Sequence, residues 1–259
     1  MLDVKKELSE LQTMYDASVK NRTFNALIYG GMGTGKTNLL TTCRRPVLIH
    51  SFDPGGTNTI RNEIGSGIYA DTRYEVEDAE KPSAFQAWDK EYDRLKAGGV
   101  FSQIGTYAID SATMWSASAM NVVLKKAGRA GAVPFQQDYL PAMVMIENAI
   151  KDMVSLPCDC ILICHDDADK DEATGKMFVG PMFVGKLKVR VPILFDEIYM
   201  AVTKETSKGA EYSLLTRNTG LYKARTRLGK GKFETYEQQD IKALLQKAGW
   251  ESGDKKGGE

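Results

Sequence analysis

A glycine-rich stretch near the N-terminus carries the clearest chemical signal in this chain. It fits the phosphate-binding pattern G-x-x-x-x-G-K-[ST] and reads Gly30-Gly31-Met32-Gly33-Thr34-Gly35-Lys36-Thr37. Glycines let backbone N–H groups curl around phosphate oxygens, in a concavity that side chains would block. We expect these residues and Asn38 to bind ATP, with Lys36 at the β- and γ-phosphates and the Thr37 hydroxyl on Mg²⁺.

The segments on either side of this loop fit the same function. Residues 24–29 are apolar and read as a strand that runs into the loop. Residues 37–42 read as a helix whose first turn faces the phosphates. The loop is therefore predicted to lie between a strand and a helix, as phosphate binding requires.

Polar residues also follow three later strands. Asp110 ends the apolar run 107–109 and would bind Mg²⁺ directly or through water. Asp53 follows the strand 46–52, and His165 follows the strand 160–164. Since ligands of open α/β sheets bind at the carboxyl ends of strands, we expect Asp53 to orient or deprotonate the attacking water and His165 to sense the γ-phosphate. A plain turn at Asp53 and a surface role for His165 are the alternatives.

The C-terminal third is locally basic. Lys186, Lys188 and Arg190 alternate, so in an extended segment they would share one face. With Phe178 and Phe183 just upstream, they form a predicted surface for single-stranded DNA, where charges bind phosphates and rings stack on bases. A solvated sheet face is the equally weighted alternative.

A second basic pair lies farther along the chain, at Lys223 and Arg225. Their spacing places both charges on one face of a strand, which we expect over 221–226. Such a pair can stabilise the negative charge of a phosphoryl group during its transfer.

Composition and element order indicate an α/β protein. The 259 residues are 42% hydrophobic and 26% charged with zero formal net charge, so no global field points to nucleic acid or membrane. Alternating strands and helices predict a mostly parallel sheet flanked by helices, extended by a β-rich C-terminal part. The predicted units are an N-terminal helix (1–20), a core (21–235), a C-terminal helix (236–250) and a disordered tail (251–259).

The N-terminal helix and the cysteines each leave two interpretations. Val4, Leu8, Leu11 and Tyr15 form one apolar stripe, which packs either on its own domain or on a neighbouring subunit. The cysteine-rich strand 158–164 fits buried thiols better than a metal site. Thiols of this kind and an N-terminus without a signal peptide predict a cytoplasmic protein.

Taken together, these residues resemble a RecA-like core ATPase over residues 23–227, and within that class the phage-encoded AAA-type ATPases of single-strand annealing and recombination. The resemblance implies a homo-oligomer, as ring or filament, in the cytoplasm of a phage-infected or prophage-carrying bacterium, possible recombination or replication partners, and ATP and Mg²⁺ as cofactors. It implies that Lys223 and Arg225 reach a neighbour's ATP site, and that the loops 166–185 and 125–138 contact DNA. Larger recombinases usually carry Glu at the position of Asp53.

Two other functions compete with a DNA-stimulated ATPase. A nucleotide or small-molecule kinase usually carries an arginine-rich lid, whereas the segment 166–176 is acidic here. A nucleotide-dependent interaction module with little turnover fits the shorter acid at Asp53.

Overall fold

A computed structural model describes residues 3–20, 23–170, 175–207 and 209–255. Its main sheet has the strand order β10-β9-β8-β1-β5-β4-β2-β3, and β6 and β7 form a separate hairpin. The strands are β1 (Asn25–Tyr29), β2 (Val47–Ser51), β3 (Ile68–Asp71), β4 (Thr106–Asp110), β5 (Asp159–Cys164), β6 (Asp166–Lys170), β7 (Met177–Pro181), β8 (Glu197–Thr206), β9 (Gly209–Leu215) and β10 (Tyr236–Gln238).

Helices cover both faces of this sheet. They are α1 (Val4–Lys20), α2 (Lys36–Leu39), α3 (Ala84–Ala97), α4 (Val100–Gln103), α5 (Ala112–Lys126), α6 (Gln136–Met153), α7 (Leu187–Arg190) and α8 (Ile241–Ala248). Short 3-10 turns extend α2 over Leu40–Thr42 and α7 over Val191–Leu194. Every helix within the described residues is too short or too polar to span a bilayer.

The six strands from β8 to β3 are parallel, and β9 and β10 continue the sheet in antiparallel pairing. The central strands β1, β4 and β5 are buried along their whole length, as expected of parallel strands covered on both faces. This confirms the predicted fold class, a parallel sheet with flanking helices and a β-rich C-terminal extension. The carboxyl ends of the parallel strands meet at one edge, where the functional site lies.

The core is divided by the sheet into two layers. Side chains alternate along β1, so Leu27 and Tyr29 enter one layer while Ala26 and Ile28 enter the other. The first layer contains an aromatic cluster that includes Trp88 and Trp115, supplied by α3 and α5. The second packs α2 and α8 against the sheet. The two layers hold the phosphate-loop strand from both sides.

Three predicted strands differ from the structure. The sequence predicts one strand over residues 101–109, but residues 101–103 belong to α4, because Phe101 packs in the aromatic cluster beside Tyr92 and Tyr107. Residues 221–226 make only isolated bridges, at Tyr222 and Arg225, instead of a strand. The segment 186–190 is the helical turn α7, and the short strand β3 had no sequence prediction.

The two chain ends contrast in their packing. On α1 the side chains of Val4, Leu8 and Leu11 are between 59% and 65% exposed, while Tyr15, 57% exposed, borders a pocket that residues of the core also line. Residues 251–255, part of the predicted disordered tail, lie against the core: the Lys255 N–H donates to the Arg45 carbonyl at 2.8 Å. The rest of that tail lies outside the described residues.

All four cysteines are buried free thiols. Burial raises the pKa of the Cys158 thiol to about 12 and raises that of Cys160 well above its usual value. These groups are therefore protonated and unreactive at neutral pH, which agrees with a structural role.

Candidate nucleotide site

The phosphate loop leaves β1 and enters α2 through positions that only glycine fits. A Cβ atom on Gly30 would lie 2.5 Å from the Ala201 carbonyl oxygen of β8. Gly35 has a left-handed φ of 80°, and a Cβ there would lie 2.8 Å from Gln239 and 2.9 Å from Tyr212. The loop is thus closely packed on its outer side, and this packing supports a concave inner side for phosphates.

Lys36 is the first residue of α2, and its side chain folds back over the loop. Its ammonium donates to the Gly30 and Gly31 carbonyl oxygens, both at 2.7 Å. Burial lowers the pKa of Lys36, and the negative charge of Asp110 opposes that shift. A half-desolvated cation placed here is suited to an anionic ligand.

The predicted metal ligands lie side by side. The Thr37 hydroxyl donates to the Asp110 Oδ2 atom at 2.6 Å, and the Asp110 side chain is buried. Burial raises the pKa of Asp110 to about 6, and the Thr37 hydrogen bond opposes the shift. A hydroxyl and a carboxylate at the loop are the oxygen donors that Mg²⁺ takes beside a nucleotide, so these residues fit the ion.

Asp53 and His165 form an ion pair at the same edge. The His165 Nε2 atom lies 3.0 Å from Asp53 Oδ2, and the Ser111 hydroxyl donates to Asp53 Oδ1 at 2.5 Å. Burial opposes ionisation of Asp53, but these two hydrogen bonds outweigh it and lower its pKa. The hydrogen bond to Asp53 raises the pKa of His165. Each group of the pair thus favours the charged form of the other.

Backbone contacts fix the strand ends that carry these groups. The Phe52 N–H donates to the Asp110 carbonyl at 2.6 Å, which joins the ends of β2 and β4. The His165 N–H donates to the Thr113 hydroxyl, and that hydroxyl donates to the Met182 carbonyl, both at 3.0 Å. The end of β5 is thus tied both to α5 and to the residue that follows β7.

One open cleft of about 750 Å³ contains these groups. The phosphate loop, Asp53, Asp110 and His165 line it, so sequence positions more than a hundred residues apart meet in one cleft. Thr59, Tyr212, Gln238 and Gln239 also line the cleft. These four carry no motif, so no sequence pattern placed them at this edge of the sheet.

A family model described as an AAA domain matches residues 22–228, most of the chain. The chain belongs to the AAA domain family. It has a nucleotide-binding, RecA-like ATPase fold. No match was found among curated protein sequences.

Several solved structures are similar to this AAA domain at low identity. The flagellar accessory protein FlaH of Methanocaldococcus jannaschii is 12% identical, with a TM-score of 0.44 over 82% of this chain and 83% of that one. A KaiC-like protein of Pyrococcus horikoshii OT3 is 14% identical, with a TM-score of 0.41 over 74% and 78%. A type III secretion ATPase of pathogenic bacteria is 12% identical, with a TM-score of 0.46 over 69% and 51%.

Lys223 and Arg225 of the AAA domain lie outside the cleft and differ from each other. The Lys223 side chain is exposed, with its ammonium 4.7 Å from the centre of the Phe178 ring. The Arg225 guanidinium donates to the Pro192 carbonyl at 3.0 Å and to the Phe195 carbonyl of its own chain. Lys223 is thus exposed, whereas the partly buried Arg225 is held by carbonyls of its own chain.

The surface predicted for single-stranded DNA does not form as expected. The segment is helical, so Lys186, Lys188 and Arg190 do not share a face. Lys188 pairs with Asp167 and Asp169, and Arg190 pairs with Glu147 at 2.6 Å. Acidic partners on β6 and α6 therefore offset two of the three charges.

The two aromatic residues assigned to this surface also differ. Phe183 is only 8% exposed and belongs to the core, so its ring cannot stack on bases. Phe178 is half-buried beneath Lys223. Within the predicted surface, Lys186 is exposed and has no acidic partner among the described residues, Arg190 is exposed but paired, and Phe178 is partly exposed.

The second predicted DNA loop, 125–138, is tied to its own surroundings. Arg129 forms an ion pair with Asp138 at 2.5 Å and lies 4.4 Å from the centre of the Phe135 ring. Lys125 donates to the Pro82 carbonyl at 3.1 Å. Lys126, by contrast, is exposed at the end of α5.

Proposed function

We propose that this AAA domain binds ATP with Mg²⁺ and hydrolyses it. One observation carries the proposal: Lys36, the Thr37–Asp110 pair and Asp53 come from three separate strand ends and line a single cleft. Phosphoryl transfer needs a cationic loop, a metal anchor and a group that orients water. The cleft brings together a side chain of each kind.

Each residue then has a distinct part in the reaction. Lys36 would leave the Gly30 and Gly31 carbonyls and donate to the phosphates, exchanging neutral acceptors for charged ones. Thr37 and Asp110 would hold Mg²⁺, which supplies charge neutralisation between the β- and γ-phosphates. Asp53 would accept a hydrogen bond from the attacking water, and His165 would keep Asp53 ionised.

A nucleotide-dependent interaction module with little turnover is the second candidate. The contacts of Asp53 favour it, because each of its oxygens already has a partner, Ser111 or His165. Each carboxylate oxygen then has only one lone pair left to accept a hydrogen bond from water. This makes Asp53 a weaker group for activating water. Nucleotide binding with very slow hydrolysis would match this alternative.

The proposed partners are single-stranded DNA and further copies of the chain. DNA binding rests on the resemblance to recombination ATPases and on the β6–β7 hairpin, which begins directly after His165. Exposed Lys186 and Lys223 are the cations best placed to contact it. Assembly is supported by the exposed apolar stripe of α1, which a neighbouring subunit would cover.

The test is the steady-state rate of phosphate release with and without single-stranded DNA, on a sample whose mass is measured by light scattering. We expect Mg²⁺-dependent hydrolysis by an oligomer and a faster rate with DNA. ATP binding with negligible release would favour the interaction module. A hydrolysis rate that is the same with and without DNA would contradict DNA as a partner but would still support ATP hydrolysis.

A further inference from the structure

The cleft extends past the phosphate loop in the direction away from the catalytic acids. Asp53, Asp110 and His165 come from β2, β4 and β5, on one side of β1 in the sheet. Tyr212 comes from β9, and Gln238 and Gln239 lie at the end of β10, both on the other side of β1. A nucleotide with its γ-phosphate at the acids would point its nucleoside toward β9.

Tyr212 of β9 lines the part of the cleft that lies beyond the phosphate loop. Alternation along β9 places it on the same face as Leu214, which packs in the core layer of Leu39 from α2. Its ring lies against Gly35, 2.9 Å from where a Cβ atom would be. The side chain is nevertheless 46% exposed, whereas Tyr199 of the neighbouring strand β8 and Tyr29 of β1 are fully buried.

Gln239 fixes the wall beside this ring. Its amide nitrogen donates to the Thr34 carbonyl at 2.8 Å and to the Ser213 carbonyl at 3.1 Å. These bonds join the phosphate loop to β9 at the residue next to Tyr212. The ring is thereby kept at a constant position relative to the loop that would hold the phosphates.

We propose that Tyr212 is the platform on which the base of the bound nucleotide stacks. The inference rests on the proposed nucleotide-binding function and adds the residue that recognises the base. An exposed aromatic face held in a polar cleft offers stacking to a flat base, and every base has such a face. Stacking of this kind favours nucleotides over bare polyphosphate.

A different role is open to the same contacts, since Tyr212 could simply support the loop through Gly35. The two roles differ in what the ring touches. If the Tyr212 ring stacks on the base, its removal lowers the affinity for ATP and leaves the affinity for inorganic triphosphate unchanged. If the ring instead supports the phosphate loop, its removal lowers the affinities for both ligands equally.

The experiment measures the affinities of ATP and of inorganic triphosphate, each with Mg²⁺, by displacement of a fluorescent ATP analogue. Tyr212→Leu removes the ring and keeps an apolar side chain, Tyr212→Phe keeps the ring, and Tyr236→Ala removes another exposed tyrosine, on β10, as a control. Circular dichroism verifies that each variant is folded.

We expect Tyr212→Leu to weaken ATP about ten-fold without changing triphosphate affinity, since a stacked base typically contributes that much. Tyr212→Phe and Tyr236→Ala should match the wild type for both ligands. Equal losses for ATP and triphosphate, or no loss of ATP affinity, would overturn the platform while leaving the nucleotide site intact. A wild type that binds neither ligand would overturn the proposed function and the platform together.

Discussion

The Asp53 carboxylate accepts a hydrogen bond on each oxygen, from the Ser111 hydroxyl and from the His165 ring. These bonds fix its orientation and keep it ionised despite partial burial. A shorter acid than Glu reaches less far into the cleft, so a firm orientation compensates for the lost reach. In the proposed reaction, Asp53 is therefore the residue of the cleft that separates hydrolysis from binding.

Replacing Asp53 with Asn should lower the rate of ATP hydrolysis about a hundred-fold or more, because a positioned base typically contributes that much. ATP affinity should change little, since Lys36 and the loop remain. Asp196→Asn is the matched control: this acid pairs with Arg227 at 2.7 Å and precedes β8, at the opposite edge of the sheet. Single-turnover phosphate release measures the hydrolysis rates of both variants. Undiminished hydrolysis in Asp53→Asn would assign water activation to another group.

Among the elements, β2 connects the site to the core. Its end carries Asp53, while His50 lies buried inside the layer next to Tyr74 and Tyr107. The His50 Nδ1 atom and the Tyr107 hydroxyl are 2.9 Å apart, and Trp88 donates to the same hydroxyl. Burial lowers the pKa of His50 from 6.5 to about 4. The packing of β2 against the aromatic layer therefore requires His50 to be neutral.

Burial of His50 predicts a destabilising response to acid. As the pH falls from about 6.5 to 4, the unfolded chain takes up a proton that folded His50 refuses, so this group by itself lowers stability by about 3 kcal/mol. Asp110, whose folded pKa is raised to about 6, opposes this change over much of the same window. His50→Gln should therefore lose less stability than the wild type as the pH falls, whereas His165→Gln, at the other histidine of the chain, should follow the wild type there because its folded pKa is raised. Urea unfolding across the window measures the slopes. Equal slopes in wild type and His50→Gln would contradict the assignment.

Sequence reasoning succeeds for elements whose signals are local. The phosphate loop, the buried strands and the acids at their ends follow from glycine spacing and apolar runs. It fails in the segment 186–190, where alternating charges fit a strand. There the buried residues Leu187 and Val191 are four apart, which is a helical spacing. The acids that pair with Lys188 and Arg190 are distant in sequence, so no local pattern could reveal them.

For the whole molecule, the cleft is open along the edge that holds the carboxyl ends of the strands. Exposed Lys223 lies near the end of β7, while Arg225 is held by carbonyls of its own chain. The apolar stripe of α1 is exposed as well. A head-to-tail assembly would cover that stripe and bring a neighbour's cation to the cleft.

Mixing two inactive variants tests this arrangement. Lys223→Ala should bind ATP normally and hydrolyse it slowly, because a cation supplied from a neighbour acts mainly in the transition state. Lys36→Ala lacks the loop lysine but keeps Lys223. In an equal mixture about a quarter of the sites combine an intact loop with an intact neighbour. Recovery of ATP hydrolysis on mixing would support action of Lys223 on a neighbour's site. If no activity is recovered, Lys223 acts only within its own subunit.

Arg225→Ala separates structure from catalysis in the same assay. Loss of two carbonyl contacts should cost about 1–3 kcal/mol of stability, measurable by urea unfolding. If Arg225 acts only within its own chain, mixing with Lys36→Ala should restore no activity. Restored ATP hydrolysis would instead indicate that Arg225 acts at a neighbour's ATP site, as the sequence resemblance implies.

Calorimetry of ATP binding to Lys36→Ala tests the nucleotide site most directly. With Mg²⁺ present, we expect the wild type to bind ATP and the variant to bind it about a hundred-fold more weakly, since a buried cation facing phosphates is lost. Lys90→Ala, which removes an exposed lysine of α3, should bind like the wild type. Equal ATP affinity in Lys36→Ala and wild type would contradict the assignment of this cleft to nucleotide.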